Sequence, residues 1–392
     1  MPSIPAPDGF KWRRLTDIAR MESGHTPSRS HPEYWNGNIP WIGIRDATGN
    51  HGKTITKTKQ YITELGVENS STRVLPAGTV CLSRTASVGY TIIMGTPMAT
   101  SQDFINWVCG PELSPSYLRY VLMLEQESIR KFSYGTTHQT LYYPDAKALH
   151  VCIPSRDEQD EIARVLAALD DKIAANTRLS DAAEDLAAIV FRSIAKDDPT
   201  ERSLSQLARF VNGRAYTKGA TGTGRVVIRI AELNSGIGES TVRNDIKVPD
   251  ENLARPGDLL FAWSGSLTVH RWFRPEGIVN QHIFKVIPTG DNPVWLVHQL
   301  LVRKLDEFRA IAADKATTMG HIQRRHLDEP VSVPARRAVE RVHPTMDSLW
   351  RTALSAEQES LSLTTLRDTL LPHLMSGRLR VKDAEKQVEA VV

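Results

Sequence analysis

Residues 153–195 read IPSRDEQDEIARVLAALDDKIAANTRLSDAAEDLAAIVFRSIA. The apolar side chains Ile162, Leu166, Leu169 and Ile173, then Ala183, Leu186, Val190 and Ile194, recur mainly at steps of three and four. That spacing puts them along one side of a helix. Ser155 with Glu158 fits a capping box, which would satisfy free amides at the helix start. A helix of roughly 40 residues would be about 60 Å long, far beyond the average helix of a globular domain. The stretch therefore reads as a spacer or a coiled-coil arm.

It has an echo. From residue 333 the chain reads VPARRAVERVHPTMDSLWRTALSAEQESLSLTTLRDTLLPHLMSGRLRV. Shifted by about 180 residues, Ile162 meets Val342, Leu166 meets Met346, Leu169 meets Leu349, Leu186 meets Leu366, Val190 meets Leu370 and Ile194 meets Leu374. Each copy opens on an apolar–proline pair, Ile153-Pro154 and Val333-Pro334. Two such helices could cover each other's apolar stripe.

The blocks before the two helices correspond as well. Leu204-Ser205-Gln206-Leu207-Ala208 resembles Leu15-Thr16-Asp17-Ile18-Ala19, and Gly213 takes the place of Gly24. The strand expected at 226–230 (VVIRI) replaces that at 39–44 (IPWIGI), and Asn280-Gln281-His282 answers Ser101-Gln102-Asp103. Residues 295–312 repeat the helical period of 116–130. An internal repeat of a whole domain and a whole helix implies two similar domains on two similar arms, with pseudo-two-fold character. The loops differ while the framework is kept, which suits two readers of different targets. The expected division is a first domain at 1–152, a long helix at 153–196, a second domain at 197–332 and a long helix with its tail at 333–392.

Composition is that of an ordinary globular protein, and 392 residues suffice for two domains with sizeable cores. No apolar run approaches the ~18 residues of a membrane span. The start, MPSIPAPDGFKWRR, lacks the apolar core of a signal peptide. The expectation is therefore a cytoplasmic protein with no membrane contact. Cys81, Cys109 and Cys152 are scattered and make no metal-ligand spacing. The net charge of +3 neither demands nor excludes a polyanion. Acids outnumber bases in 153–195, whereas the flanking blocks carry a modest basic excess. The blocks, not the helix, are the candidates to meet phosphate.

Gly24 to Ile42 stands as G-x-T-P-S…P-E-Y-W-x-G-x-I-P-W-I. Glu158-Gln159, Leu169-Asp170-Asp171-Lys172-Ile173 and Leu366-Arg367-Asp368-x-Leu370-Leu371-Pro372-x-Leu374-x-Ser376-Gly377 complete a set. With these the chain resembles, over essentially its whole length, the specificity subunits of type I restriction–modification systems. The resemblance implies an α/β (α+β) fold: two target recognition domains separated by two long antiparallel coiled-coil helices. It implies that each domain reads one half of a bipartite asymmetric site in double-stranded DNA. The helices would dock modification (methyltransferase) subunits, two of them, which bind S-adenosylmethionine and methylate adenine. Restriction subunits would add ATP- and Mg-dependent translocation and cleavage. This chain itself would hold no cofactor and no metal, and would be non-catalytic. One departure is plain: the second domain has Tyr216-Thr217-Lys218-Gly219 and Gly222-Thr223-Gly224-Arg225 where the first has its T-P-S…Y-W segment.

Rival readings are a methyltransferase or nuclease acting alone, or a purely structural coiled-coil hub. The sequence has no G-x-x-x-x-G-K-[ST] loop, no H-E-x-x-H and no Asn/Asp-Pro-Pro-aromatic run. Residues 219–224 lack a P-loop lysine and read as a flexible surface loop. DNA-reading side chains are sought among Arg, Lys, Asn and Gln on polar loops after strands. The candidates are Arg84, Gln102, Thr137, His138 and Gln139 in the first domain. In the second they are Asn280, Gln281, His282, Lys315, Thr317, Thr318 and His321. Gln102 and Gln281 could equally make one shared structural hydrogen bond. Trp41 and Trp263 read as core. Lys57, Lys59, Arg324 and Arg325 would serve phosphates, which position without specifying.

Overall fold

The structure, a computed structural model, describes residues 5–85, 87–131, 133, 139–314 and 320–389. The chain divides into two compact units, Met1–Asp171 with Thr364–Val392, and Lys172–Leu363.

Among the described residues, the first unit holds a five-stranded sheet in the order Ala19–Ser23, Phe104–Cys109, Val80–Ser83, Thr91–Met94, Thr54–Ile55. The pairs are antiparallel except the last. Val80–Ser83 and Thr91–Met94 are buried on both faces, which is why each is apolar but for one terminal hydroxyl residue, Ser83 and Thr91. A second sheet joins Gln60–Ile62, Trp35–Ile42 and Ala99–Thr100. The strand Trp35–Ile42 begins four residues before the apolar run at Ile39, inside a stretch whose Asn and Gly suggest loop. Its pairing with Gln60–Ile62 shifts register between Trp35 and Ile39, and Asn36 there has a φ of 62°.

The second unit repeats the plan. Ala208–Asn212, Ile283–Pro288, Leu259–Ala262 and Thr268–Arg271 form one antiparallel sheet. Arg225–Ile228 runs parallel to Gly277–Val279 as Trp35–Ile42 does to Ala99–Thr100. Each unit also pairs its opening strand with the one leading into a long helix, Lys11–Arg14 with His150–Ile153 and Thr200–Ser203 with Pro330–Val333. Gly24 and Gly213 are equivalent and for the same reason. A Cβ on Gly24 would lie 2.0 Å from the Ser101 carbonyl oxygen, and one on Gly213 2.1 Å from that of Asn280. Only glycine lets the two backbones approach so closely.

The long helices are Arg156–Ile194 and Arg336–Met375. Of the capping box, the half in which Ser155 Oγ accepts from Glu158 N is present, at 3.3 Å. The first unit contains the start of the first helix and the end of the second, and the second unit contains the reverse. Within the second unit the helices run antiparallel: Arg341 pairs with Asp197 at 2.6 Å and Asn176 with Glu359 at 2.8 Å. Two of the quoted motifs meet within the first unit. Arg367 donates to Asp170 at 2.8 Å, and the same carboxylate accepts from Tyr120 Oη at 2.6 Å. Arg271 plays a similar part in the second unit, its buried guanidinium bridging Glu184 and Glu357 on the two helices at 2.7 and 2.9 Å.

One stripe assignment is corrected. Leu186, expected on the inner face, is 46% exposed, and the buried line at that end of the helix is Ala183, Ala187, Phe191 and Ile194. Among the described residues no helix is long and apolar enough to cross a membrane.

Candidate nucleic-acid interface

In the first unit the strand Val80–Ser83 runs out into Arg84. The Arg84 amide donates to the Asp103 carbonyl at 2.7 Å, and its carbonyl accepts from Leu141 N at 2.8 Å. Thr85 and Thr140 pair in an isolated bridge beyond it. The Asp103 carboxylate is engaged by Thr85 Oγ1 at 2.6 Å and Ser101 Oγ at 3.0 Å. The half-buried Arg84 guanidinium ties the junction together. It donates to the carbonyls of Leu141 (3.1 Å) and Gln102 (3.3 Å) and lies 4.6 Å from the centre of the Tyr143 ring. Gln102 and Gln139 are exposed, and the Gln102 side chain accepts a hydrogen bond from Thr26.

The second unit has the same backbone with other side chains. Trp263 N donates to the His282 carbonyl and Ile322 N to the Trp263 carbonyl, both at 3.1 Å, and Ser264 bridges to His321. Trp263 thus stands for Arg84, His282 for Asp103 and His321 for Thr140. An arginine and a carboxylate are replaced by an indole between two imidazoles, with ring centroids 5.1 Å (His282) and 6.4 Å (His321) away. Trp263 is half-buried at this edge, so its assignment to the core is only half right. Its Nε1 donates to Asn212 at 2.9 Å. His282 has a φ of 73°, and its buried Nδ1 finds no hydrogen bond among the described residues. Asn280 is 6% exposed and its Oδ1 accepts from Tyr216 N at 3.1 Å. Buried in that way it supports the turn and cannot reach a base edge, contrary to the sequence expectation. Gln281 is exposed and makes no counterpart of the Gln102–Thr26 bond among the described residues. The two units share the backbone turn, not a glutamine hydrogen bond. Thr137, His138, Lys315, Thr317 and Thr318 lie outside the described residues.

Beside the first junction is a groove that the sequence reading passed over. Two adjoining cavities of about 570 and 470 Å³ share Arg29, Lys59 and Gln60 in their walls. Trp35 and Tyr61 complete one, and Trp41, Arg45, Asp46 and Asp103 the other. Trp41 is buried, as expected, and also lines the groove. Arg29 was hidden because its hydrogen-bond partner Gln60 is distant in sequence, although its neighbours Trp35 and Trp41 are the aromatic–basic mixture typical of nucleic-acid sites. Arg324 and Arg325, on the turn Arg324–Asp328 of the second unit, are exposed.

Other chemistry finds little support. All three cysteines are free; burial pushes the thiols of Cys81 and Cys152 up, and that of Cys109 up to about 12. Such thiols are poor nucleophiles. Residues 219–224 are stapled rather than loose: Asp245 N donates to Thr221 Oγ1 at 3.1 Å, Gly222 N to the Arg243 carbonyl at 3.1 Å, and Thr223 Oγ1 to the Asp245 carboxylate. A carboxylate at that loop repels phosphate. Among the described residues no three His, Cys, Asp or Glu side chains gather as metal ligands would.

Two copies of one mixed α/β fold, alike in backbone and different in the side chains at one strand-end junction, define a repeat-built recognition scaffold. Residues 7–185 match the family model described as the type I restriction modification DNA specificity domain. The MjaIX specificity subunit of Methanocaldococcus jannaschii is 24% identical over 418 residues, covering 96% of this chain and 95% of that protein. Over nearly its whole length the chain is thus similar to type I restriction–modification specificity subunits. The HindI specificity subunit of Haemophilus influenzae is 28% identical over 157 residues, which is 38% of this chain and 33% of that one. Among solved structures, the type I S subunit from M. genitalium shares the fold with a TM-score of 0.60 at 16% identity, covering 95% of this chain and 98% of that one.

Proposed function

We propose that this chain is the DNA-reading, non-catalytic component of a type I restriction–modification complex, with each recognition domain reading one half of a bipartite asymmetric site. The observation that carries this is the duplicated junction. The same backbone hydrogen bonds hold Arg84 and Asp103 in one unit and Trp263 and His282 in the other. One scaffold with two side-chain sets is what two half-sites of different sequence require, because bases are read by side-chain chemistry on a fixed frame. The long helices are proposed to dock two modification subunits that bind S-adenosylmethionine and methylate adenine. Restriction subunits with ATP and Mg would complete the complex in the cytoplasm. Catalysis then lies in those partners.

The test is a chimera. Residues 1–152 are replaced by the equivalent block of a relative, the partner subunits are supplied, and adenine methylation is mapped. One half of the target should change and the other persist. A change in both halves would mean that the two domains read one shared element.

A further inference from the structure

The groove between Arg29 and Gln60 has a chemistry narrower than general affinity for DNA. The guanidinium of Arg29 lies 4.4 Å from the centre of the Trp35 ring and 5.7 Å from that of Trp41. Its Nη2 donates to Gln60 Oε1 at 3.2 Å. An exposed arginine is normally mobile; here two indoles and an amide hold its plane. The bond occupies one lone pair of the Gln60 carbonyl oxygen and leaves the other guanidinium N–H groups and the Gln60 amide N–H groups as donors at this site.

The surrounding charge is also arranged. Arg29, Arg45, Lys57 and Lys59 are exposed, and none has an ion-pair partner among the described residues. The two carboxylates in the groove wall are turned to other work. Asp46 accepts from Gly43 N at 3.0 Å and Lys59 N at 2.9 Å, which fixes the loop carrying Lys59. Asp103 is held by Thr85 and Ser101. What faces outward is a planar donor fork flanked by unneutralised cations.

A fixed fork of donors matches two acceptors side by side, the O6 and N7 of guanine in the major groove. We propose that Arg29, oriented by Trp35 and Gln60, reads a guanine in the first half-site, and that Arg45 and Lys59 hold neighbouring phosphates. This rests on the DNA-reading function proposed above and names one of its contacts. The second domain lacks the T-P-S…Y-W segment, so the device belongs to the first domain alone.

The experiment uses the full chain assembled with its modification subunits and a randomised duplex library, with base preference read at each position. The wild-type complex should show a guanine preference in the half-site assigned to the first domain. Arg29→Ala and Arg29→Lys should each weaken that preference about tenfold or more and leave the second half-site as it was. Arg29→Lys keeps the charge and loses the fork, so it separates reading from attraction. The double variant Arg45→Ala/Lys59→Ala should weaken binding to all sequences alike and flatten its salt dependence, with base preferences unchanged. The proposal is overturned if Arg29→Lys reads as the wild type does, or if Arg29→Ala weakens every sequence equally. A wild-type complex with no base preference in either half would overturn the DNA-reading function itself, a different result.

Discussion

Gln159 is fully buried, and its side chain joins three segments of the first unit. Its Oε1 accepts from Ser114 N at 2.9 Å, and its Nε2 donates to the carbonyls of Glu112 (3.0 Å) and Pro154 (3.1 Å). Gln159→Leu would keep the volume and leave those buried groups without partners. We expect a loss of about 1–3 kcal/mol in chemical unfolding, and a neutral result would mean that water replaces the amide. His298 makes a pH prediction. Burial, opposed by Glu184 and reinforced by Arg271 and His270, pulls its pKa down to about 4 from 6.5. Between those values the unfolded chain takes a proton that the folded chain refuses. Its contribution to stability is therefore complete above pH 6.5 and lost as pH falls toward 4. Burial also lowers His51 and His270, which act in the same direction. Melting temperatures between pH 7.5 and 5 should fall less steeply for His298→Gln than for the parent; equal slopes would exclude His298 as a contributor.

At the scale of the element, the first long helix shows what a sequence reveals and what it hides. Its existence and approximate extent were legible from Pro154 and the apolar period. The inner line at its far end was not. Ala183 and Ala187 face Trp295, Met346 and Trp350, so the large side chains come from other elements and the helix contributes the small ones. A reading that follows large apolar residues chooses Leu186, one position and about 100° away. Phe191→Ala should therefore cost about 3–5 kcal/mol, whereas Leu186→Gln should change stability by less than about 0.5 kcal/mol. A large effect at Leu186 in the isolated chain would contradict the packing. The candidate interface divides in the same way. Loops after strands pointed to Arg84 and Gln102. Arg29 and Gln60 are brought together by strand pairing between Trp35 and Ile62, a register that spacing alone does not disclose.

For the whole molecule, the repeat was legible and the sharing of the helices was not. Sequence divides the chain at turns and prolines, whereas the compact units are divided inside both long helices. The second segment of the first unit is held by several contacts: Arg367 on Asp170, Glu385 on Arg164 at 3.1 Å, and the Gly377 backbone against the Phe10 ring. Leu370 and Leu374 are buried. A chain stopped after Leu363 should lose hydrogen-exchange protection in the first unit's sheets and keep it in those of the second. Equal loss in both would show that the two units open together.

The discontinuity of the first unit also has a consequence in time. A ribosome releases the chain in order, so residues 172–363 emerge as one uninterrupted run and can close as soon as they are out. The residues up to Asp171 emerge earlier, yet they wait for the segment from Thr364. At ~5–20 residues per second the interval is roughly 10–40 s. During it the seats of Leu370 and Leu374 stand open to water and to any apolar passer-by, chaperones included. The half of the protein begun first is the half completed last.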